Sequence, residues 1–264
     1  MSEWSRKMEQ KTDVKFDKYN EERQKDLIIG RNAVTELIKS GREIDTLYVA
    51  RGEKTGSVGK IIGECREKGA VIKEVDRKKL DFMCGHSNHQ GVAAICAAHD
   101  YSTVEEILAV AEARGEAPFI VVCDGIEDPH NLGAIIRTAE AAGVHGIIIP
   151  KRRSASLNYT VGKTSAGALE YMKVARVSNL AATLDDLKEK GMWVYGADMG
   201  GQDARSVNLD GAAVLVIGSE GDGMSRIVRE KCDFIISLPM KGQINSLNAS
   251  VAGGILMYEF SYKR

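Results

Sequence analysis

Two neighbouring stretches near the end of the chain decide its fold: VLVIGSEGDGM at residues 214–224 and IISLPMKGQINSLNAS at residues 235–250. The apolar run 212–217 is short and closed by Gly218, which is typical of a buried strand in a parallel sheet. A second apolar run, 234–238, has the same character. Two such strand ends in quick succession predict an α/β fold with a ligand site at the carboxyl edge of its sheet.

The loops that follow these strands carry polar side chains that core packing does not require. Glu220 lies between glycines, which allow the backbone to approach a ligand closely. Asn245 or Ser246 is predicted to cap a final helix whose apolar positions begin at Leu247, and Asn248 lies beside them. Ordinary α/β turns use the same residue types, so either loop alone supports both interpretations. The crowding of polar groups in both loops favours a ligand site.

Length and composition indicate the class of protein. A chain of 264 residues with 44% hydrophobic and 28% charged residues is typical of a globular protein with one large or two ordinary domains. The formal net charge is −1, so any contact with RNA must depend on a local basic patch. Five cysteines without a C-x-x-C pair, and the lack of a long apolar segment, predict a cytoplasmic protein with no membrane role.

Composition and periodicity divide the chain into four segments. Residues 1–26 lack periodic apolar positions and are predicted to form a flexible extension. Residues 27–98 alternate strands with helices and are predicted to form a small α/β domain. The charged segment 99–116 is predicted to be a linker with helical spacing, and residues 117–264 form the second domain. Within the small domain the predicted strands are 44–50, 70–75 and 92–97, and the predicted helices are 32–39 and 58–68.

Cysteine and histidine side chains in the small domain raise the question of a metal site, because both are common zinc ligands. Their spacing matches no paired-ligand pattern, and a polar turn at 88–91 is the preferred explanation. We therefore predict no metal. The residues considered are Cys84, His86, His89, Cys96 and His99.

The second domain begins with a predicted buried strand at 119–123 and continues with DPHNLGAIIRTA at residues 128–139. His130 or Asn131 is predicted to cap a helix over 132–142, with Asn131 at its mouth. The change from strand spacing to helix spacing within one short motif is typical of an α/β unit.

Two sets of cations in the second domain are candidates for function. Arg137, within the first two turns of that helix, is either a surface cation paired with Glu140 or Glu127, or a reactive group. Three successive cations follow the predicted strand 146–149, and a phosphate backbone suits them better than an acidic small molecule does. These RNA-binding candidates are Lys151, Arg152 and Arg153.

Two nucleotide-binding motifs are excluded. Lys163 and Thr164 resemble the end of a nucleoside-triphosphate loop, but Leu157 stands where the first glycine is required. The glycines of 218–223 lack the G-x-G-x-x-G spacing of a dinucleotide fold, which disfavours a hydride-transfer enzyme.

Taken together, the motifs resemble those of the SpoU/TrmH family of the SPOUT superfamily, the AdoMet-dependent RNA ribose 2′-O-methyltransferases. Three family motifs occur in order and span the second domain. The small domain resembles the family's RNA-binding domain at IGRNAV, residues 29–34, and at NHQGV, residues 88–92. The three motifs are DPHNLG at 128–133 with RTA at 137–139, IGSEG at 217–221 with GM at 223–224, and LPM at 238–240 with SLN at 246–248.

The resemblance implies a C-terminal α/β SPOUT domain with a deep trefoil knot, preceded by a small α/β RNA-binding domain, and a homodimer with active sites beside its interface. It implies S-adenosyl-L-methionine as the cofactor and no metal. The residues at cofactor-binding positions are Ala197, Gly218, Leu238, Met240 and Leu247. The residues at catalytic positions are Asn131, Arg137, Glu220, Ser246 and Asn248.

The implied reaction is methylation of a ribose 2′-hydroxyl, which must be aligned and lose its proton. The family account makes Arg137 the activator. A guanidinium stays protonated in proteins, so we favour a phosphate anchor that also polarises the hydroxyl. Glu220 and Asn248 would orient that arginine and the substrate, and Asn131 would help close the site.

The resemblance also bears on the substrate. It favours a guanosine in the peptidyl-transferase loop of 23S rRNA, because the chain has two domains. A tRNA guanosine-2′-O-methyltransferase is the alternative. A different class of function is an RNA-binding assembly factor without catalysis, which would require a damaged catalytic cluster.

Overall fold

The chain forms two compact units, which divide between Asp100 and Tyr101. The predicted extension at 1–26 lies outside the described residues. No helix in the described part of the chain is long and apolar enough to cross a bilayer. The residues that the computed structural model describes are 27–54, 56–97 and 99–263.

The described residues of the first unit form a four-stranded sheet with three helices. Its elements are β1 (Leu27–Ile29), α1 (Arg31–Lys39), β2 (Ile44–Ala50), α2 (Gly56–Glu67), β3 (Val71–Val75), α3 (Arg77–Met83) and β4 (Val92–Cys96). The strand order is β1-β4-β2-β3. Strand β4 is antiparallel to β1 and β2, whereas β2 and β3 are parallel and are joined through α2. The five strands and helices predicted for 32–97 are confirmed to within two residues at each end, and α3 was not predicted.

His89, considered above as a metal ligand, is buried in the turn before β4 and uses both ring nitrogens within the chain. Its Nδ1 accepts the Gly91 N–H at 2.9 Å, so Nε2 carries the hydrogen of the neutral ring and donates to Asp81 at 2.8 Å. Among the described residues, no group of three or more His, Cys, Asp or Glu side chains could hold a metal ion.

The second unit is a six-stranded sheet with helices on both faces. Its strands are β5 (Phe119–Asp124), β6 (Gly146–Pro150), β7 (Lys173–Val177), β8 (Trp193–Asp203), β9 (Ala213–Gly218) and β10 (Phe234–Ser237). Its α-helices are α4 (Val104–Arg114), α5 (Pro129–Ala141), α6 (Tyr159–Thr164), α7 (Leu180–Glu189), α8 (Arg226–Lys231) and α9 (Ala249–Ser261). Short 3₁₀ turns lie at Ala168–Glu170 and Ala204–Ser206.

All neighbouring strands of this sheet are parallel, in the order β10-β8-β9-β5-β6-β7. The chain proceeds from β5 through β6 to β7 at one edge, and then continues on the other side of β5. The order therefore reverses between β5 and β9. In open parallel sheets, ligands bind in the crevice outside the carboxyl ends of the strands at such a reversal.

Apolar side chains cover both faces of the sheet and account for its hydrophobic strands. One face packs under α5 and α9, where Phe119 stacks on Phe260 at 5.0 Å between ring centroids. Tyr195 stacks on Phe234 at 5.1 Å on the same face. The other face packs under α4, α7 and α8. Burial on both faces explains why these strands read as continuous apolar runs rather than alternating ones.

Two elements differ from the sequence predictions. The apolar run 193–197 is followed by glycines at 200 and 201, so the sequence predicts a strand that ends at Ala197. In the structure this strand, β8, continues to Asp203. The extension needs Gly201, because a Cβ there would lie 2.6 Å from the backbone of Ile235. Within the predicted linker 99–116, the residues from Tyr101 onward belong to the second unit.

Helix α4 lies in this linker and packs against β6 and β7. The contact is close because β6 begins with Gly146, where a Cβ would lie 2.5 Å from Ile107. Ile107 is fully buried, so α4 contributes to the core of the second unit.

Candidate active site

A cavity of about 870 Å³ opens at the carboxyl ends of β8, β9 and β10, in front of the first turn of α9. Both loops that the sequence analysis singled out form its wall. The five residues predicted to bind the cofactor all line it, namely Ala197, Gly218, Leu238, Met240 and Leu247. Three of the five predicted catalytic residues also line it, namely Glu220, Ser246 and Asn248.

The loop after β9 folds back on itself. Ser219 and Gly223 exchange two backbone hydrogen bonds of 3.0 and 3.1 Å. A Cβ on Gly218 would lie 2.2 Å from the backbone of Gly223, so only glycine fits at the end of this strand. Glycine here therefore serves a close backbone contact, and the fold of the loop directs Glu220 towards the start of α9.

Asp124 anchors the same loop and was missed by the sequence analysis. It ends β5 opposite Gly218 and is 5% exposed. Its Oδ2 accepts the backbone N–H of Ser225 at 2.7 Å. A carboxylate directly after the buried run 119–123 was the available signal, since a buried carboxylate needs a donor.

The caps of both helices at the site differ from those predicted. Helix α5 begins at Pro129 rather than 132, because Asp128 accepts the His130 N–H at 2.9 Å and proline is favoured in the first turn. Helix α9 is capped by Asn248, whose Oδ1 accepts two backbone N–H groups of the first turn at 3.0 and 3.2 Å. Leu247, predicted to lie within this helix, therefore precedes it.

Three polar residues from distant parts of the sequence meet at the mouth of the cavity. Asn131 Nδ2 donates to Glu220 Oε1 at 3.1 Å, and Asn248 Nδ2 donates to Asn131 Oδ1 at 3.0 Å. Asn248 Nδ2 and the Ala249 N–H also donate to Glu220 Oε1, the latter at 3.3 Å. We call Asn131, Glu220 and Asn248 the amide–carboxylate cluster. The structure brings together these three predicted catalytic residues.

Arg137 and Ser246, the other two, form no hydrogen bond with the cluster. Arg137 is exposed on α5 and forms no hydrogen bond or ion pair with the described residues, so neither Glu127 nor Glu140 is its partner. It lies six residues beyond Asn131, which on an α-helix is about 9 Å along the axis and about 120° around it. Ser246 is exposed at the cavity wall.

The predicted RNA-binding cations form an exposed turn after β6. Lys151 is half-buried, and Arg152 and Arg153 are exposed. Arg153 has a φ of 56°, a conformation that side chains other than glycine rarely adopt. The Ala155 N–H donates to the Ile126 carbonyl at 2.8 Å, which holds this turn beside the end of β5. The cations thus lie at the same edge of the sheet as the cavity without lining it.

Comparison with known proteins agrees with this arrangement. The model of the SpoU rRNA methylase family matches residues 118–258, and that of the RNA 2′-O ribose methyltransferase substrate-binding domain matches residues 27–102. The chain belongs to the SpoU rRNA methylase family. The predicted family is therefore confirmed, and the protein is an RNA methyltransferase of the SpoU/TrmH type.

Relatives match along nearly the whole chain. "Putative TrmH family tRNA/rRNA methyltransferase YacO" of Bacillus subtilis (strain 168) is 50% identical over 242 residues, which cover 91% of this chain and 97% of that protein. A Staphylococcus aureus (strain MSSA476) protein named "Putative TrmH family tRNA/rRNA methyltransferase" is 45% identical over 239 residues, covering 90% and 96%.

Solved structures show the same fold. The SpoU methyltransferase AviRb from Streptomyces viridochromogenes, in complex with AdoMet, has a TM-score of 0.57 at 24% identity and covers 90% of this chain and 89% of its own. The A. aeolicus TrmH/SpoU tRNA modifying enzyme has a TM-score of 0.52 at 30% identity, covering 56% of this chain and 76% of its own.

Proposed function

We propose that this SpoU-family methyltransferase transfers a methyl group from S-adenosyl-L-methionine to a ribose 2′-hydroxyl in RNA. The observation that carries the proposal is the convergence of all three family motifs at one cavity, where the amide–carboxylate cluster adjoins the residues expected to bind the cofactor. A non-catalytic assembly factor is disfavoured, because each of the five predicted catalytic positions carries the residue type that the family motifs require. The proposed reaction places the enzyme in the cytoplasm.

The cavity fits S-adenosyl-L-methionine in size and chemistry. Its volume of about 870 Å³ is within the range of small-molecule sites, and its lining combines apolar residues with glycines and polar residues. Gly218, Leu238 and Leu247 would hold the cofactor through their backbone, and Ala197 and Met240 would contact it with side chains. The bound cofactor supplies a methyl group that a sulfonium makes electrophilic.

The protein's own side chains would position the hydroxyl. Asn131 and Asn248 hold Glu220 at the cavity mouth, so these three residues form a preorganised polar site. Arg137, which is exposed and unpaired among the described residues, is free to bind the phosphate next to the target nucleotide. Ser246 would contribute a hydroxyl at the cavity wall.

RNA capture is assigned to the basic turn after β6 and to the first unit. The chain has a formal net charge of −1, so RNA phosphates must be neutralised by a local group of cations. We assign this role to Lys151, Arg152 and Arg153. Residues 27–98, within the first unit, would make further contacts with the RNA. The match of the substrate-binding family model to residues 27–102 supports this second assignment.

We also infer a homodimer formed through α5 and α9. A groove of about 590 Å³ lies between these helices and is lined by Ala134, Thr138, Val251 and Ile255, among others. Val251 is 49% exposed and Ile255 39%, so the groove presents apolar side chains of α9 to solvent. Exposed apolar surface of this kind is typical of a protein–protein contact. A second copy covering this groove would bring Arg137 to the edge of the interface.

The deep trefoil knot is part of the proposal as well. The chain leaves β10 at one edge of the sheet and returns to its middle, where α9 packs against α5 and β9. This return supports the proposal, because a knot requires the end of the chain to pass an earlier segment.

The favoured substrate is a guanosine in the peptidyl-transferase loop of 23S rRNA. The two-unit layout supports it, because a solved rRNA methyltransferase from Sinorhizobium meliloti (TM-score 0.55, 24% identity) covers 89% of this chain, whereas the A. aeolicus tRNA modifying enzyme covers 56%. A tRNA substrate is the second candidate, because the relatives' names include both RNA classes.

Methyl transfer with labelled AdoMet tests the proposal. The protein is incubated separately with total tRNA and with 23S rRNA that lacks ribose methylation, and the labelled nucleotide is mapped. We expect label on one guanosine ribose of 23S rRNA. Label in tRNA alone would overturn the substrate assignment, and RNA binding without any transfer would overturn the enzymatic function.

A further inference from the structure

The two carboxylate oxygens of Glu220 have different surroundings. Oε1 accepts hydrogen bonds from the side chains of Asn131 and Asn248 and from the Ala249 N–H. Oε2 accepts none from the residues that the structure describes. Three donors on one oxygen fix the orientation of the carboxylate, and the other oxygen is left for a group outside the chain.

Few other side chains at the cavity can take up a proton. Asn131 and Asn248 carry amides, which do not act as bases near neutral pH. Asp198 also lines the cavity, but its Oδ2 accepts the Nε–H of Arg229 at 2.9 Å in an ion pair. Among the described residues, Glu220 is thus the carboxylate at this cavity that forms no ion pair and that contacts Asn131 and Asn248.

We propose that Glu220 Oε2 accepts the proton of the ribose 2′-hydroxyl. This inference rests on the proposed function and names the proton acceptor of that reaction. The ribose O–H bond breaks, a new O–H bond forms at Oε2, and the electron pair stays on the ribose oxygen, which becomes the nucleophile. Glu220 is exposed, so it returns the proton to water after the product leaves. Arg137 keeps its role as the phosphate anchor.

The substitution Glu220→Gln separates proton transfer from orientation. Glutamine keeps an oxygen for the three donors on Oε1 and replaces Oε2 by a nitrogen that cannot accept a proton. We expect the single-turnover rate with saturating RNA to fall at least about 100-fold, as is typical for loss of a general base. AdoMet affinity should change less than about threefold, because Glu220 is not among the residues expected to bind the cofactor.

A matched control exists in the same loop. Asp222 is an exposed carboxylate two residues from Glu220, and it makes no hydrogen bond with the described residues. Asp222→Asn removes the same charge from the loop and should leave the rate unchanged. A Glu220→Gln rate within about threefold of wild type would show that Glu220 only orients the site, and would overturn the proposal.

A binding experiment without AdoMet provides a second readout. The probe is a short synthetic RNA centred on the nucleotide mapped above, with either a 2′-hydroxyl or a 2′-fluoro group there. Fluorine cannot donate a hydrogen bond, so the wild type should bind the hydroxyl probe about tenfold more tightly. The preference should vanish in Glu220→Gln. Equal wild-type affinities would overturn the proposal whether or not the variant folds.

The outcomes also distinguish this inference from the function on which it rests. If the wild type methylates no RNA, both fall. If it methylates RNA and Glu220→Gln matches its rate, or if the two probes bind equally, only the assignment of the proton acceptor falls.

Discussion

At the scale of single residues, substitutions of Arg137 distinguish a catalytic role from a purely structural one. It is exposed and unpaired among the described residues, so Arg137→Ala should lower the free energy of unfolding by at most about 1 kcal/mol. As a phosphate anchor it should nonetheless lower the single-turnover rate about 100-fold or more. Arg137→Lys should rescue poorly, because lysine lacks the planar fork of the guanidinium. Near wild-type turnover of Arg137→Ala would remove this residue from the catalytic list.

Asp124 permits a second test at this scale, because it holds the loop that carries Glu220. Asp124→Ala leaves the Ser225 N–H without its acceptor and should cost about 1–3 kcal/mol of stability. Calorimetry should show AdoMet binding weakened about tenfold or more, since 1.4 kcal/mol of loop ordering corresponds to a factor of ten.

Asp233→Ala is the matched control for that test. Asp233 likewise accepts a backbone N–H, that of Val194 at 2.9 Å, but at the opposite end of β8 from the cavity. It also forms an ion pair with Lys188 at 2.6 Å, so its loss should destabilise the fold at least as much. It should destabilise the fold and leave AdoMet affinity intact. Equal losses of affinity in the two variants would mean that Asp124 acts only through global stability.

The residue types at the site were predictable, but their partners were not. The family motifs identified Asn131, Glu220 and Asn248 as a set. Their hydrogen bonds join positions 89 and 117 residues apart, and no local pattern encodes such contacts. Asn248 was placed beside the cap rather than at it, because Asn245 and Ser246 are equally good cap residues by type.

At the scale of elements, the basic turn after β6 is predicted to bind RNA phosphates. Replacing Lys151, Arg152 and Arg153 by alanine should weaken RNA binding and reduce the slope of log affinity against log salt concentration by up to about 3. AdoMet affinity should not change, because the turn does not line the cavity. Filter binding at several salt concentrations is the measurement. An unchanged slope would identify the turn as an ordinary solvated loop.

The predicted boundaries of helices and strands agree with the structure where the apolar periodicity is strong. They differ where a contact with a residue distant in the sequence determines where the element ends. The strands and helices of the first unit that were predicted agree with the structure to within two residues. Strand β8 runs six residues past Ala197 because β10 supplies a partner, and its glycines gave only a turn signal. Helix α4 resembled a connector because its pattern does not reveal the pairing of Ile107 with Gly146.

At the scale of the whole molecule, the buried thiols predict how stability depends on pH. Burial raises the pKa of Cys123 to about 12, and the neighbouring Asp124 adds to the effect. Burial likewise raises the pKa of Cys65 to about 11 and of Cys232 to about 12. In the unfolded chain these thiols lose their protons near pH 9. Their contribution to the free energy of unfolding is therefore fully present below about pH 9 and is lost as pH rises towards 11–12.

Cys123→Ala isolates one thiol of this set. The stability difference between wild type and variant should shrink by up to about 1.4 kcal/mol per pH unit between pH 9 and 11. Urea unfolding at pH 8, 9, 10 and 11 measures it. A difference that stays constant over this range would contradict the assigned pKa.

The position of Asn248 has a consequence for how the molecule assembles. Its amide oxygen caps α9 and its amide nitrogen donates to Glu220. The following turns of α9 line the groove at which a second copy is proposed to bind. Ordering of this amide by a ligand in the cavity would therefore also order the start of the helix on which a second copy is proposed to pack. In the proposed dimer, cofactor binding and subunit association would be linked equilibria, and reciprocity requires each to strengthen the other by the same factor. The dimer dissociation constant should consequently fall as AdoMet concentration rises.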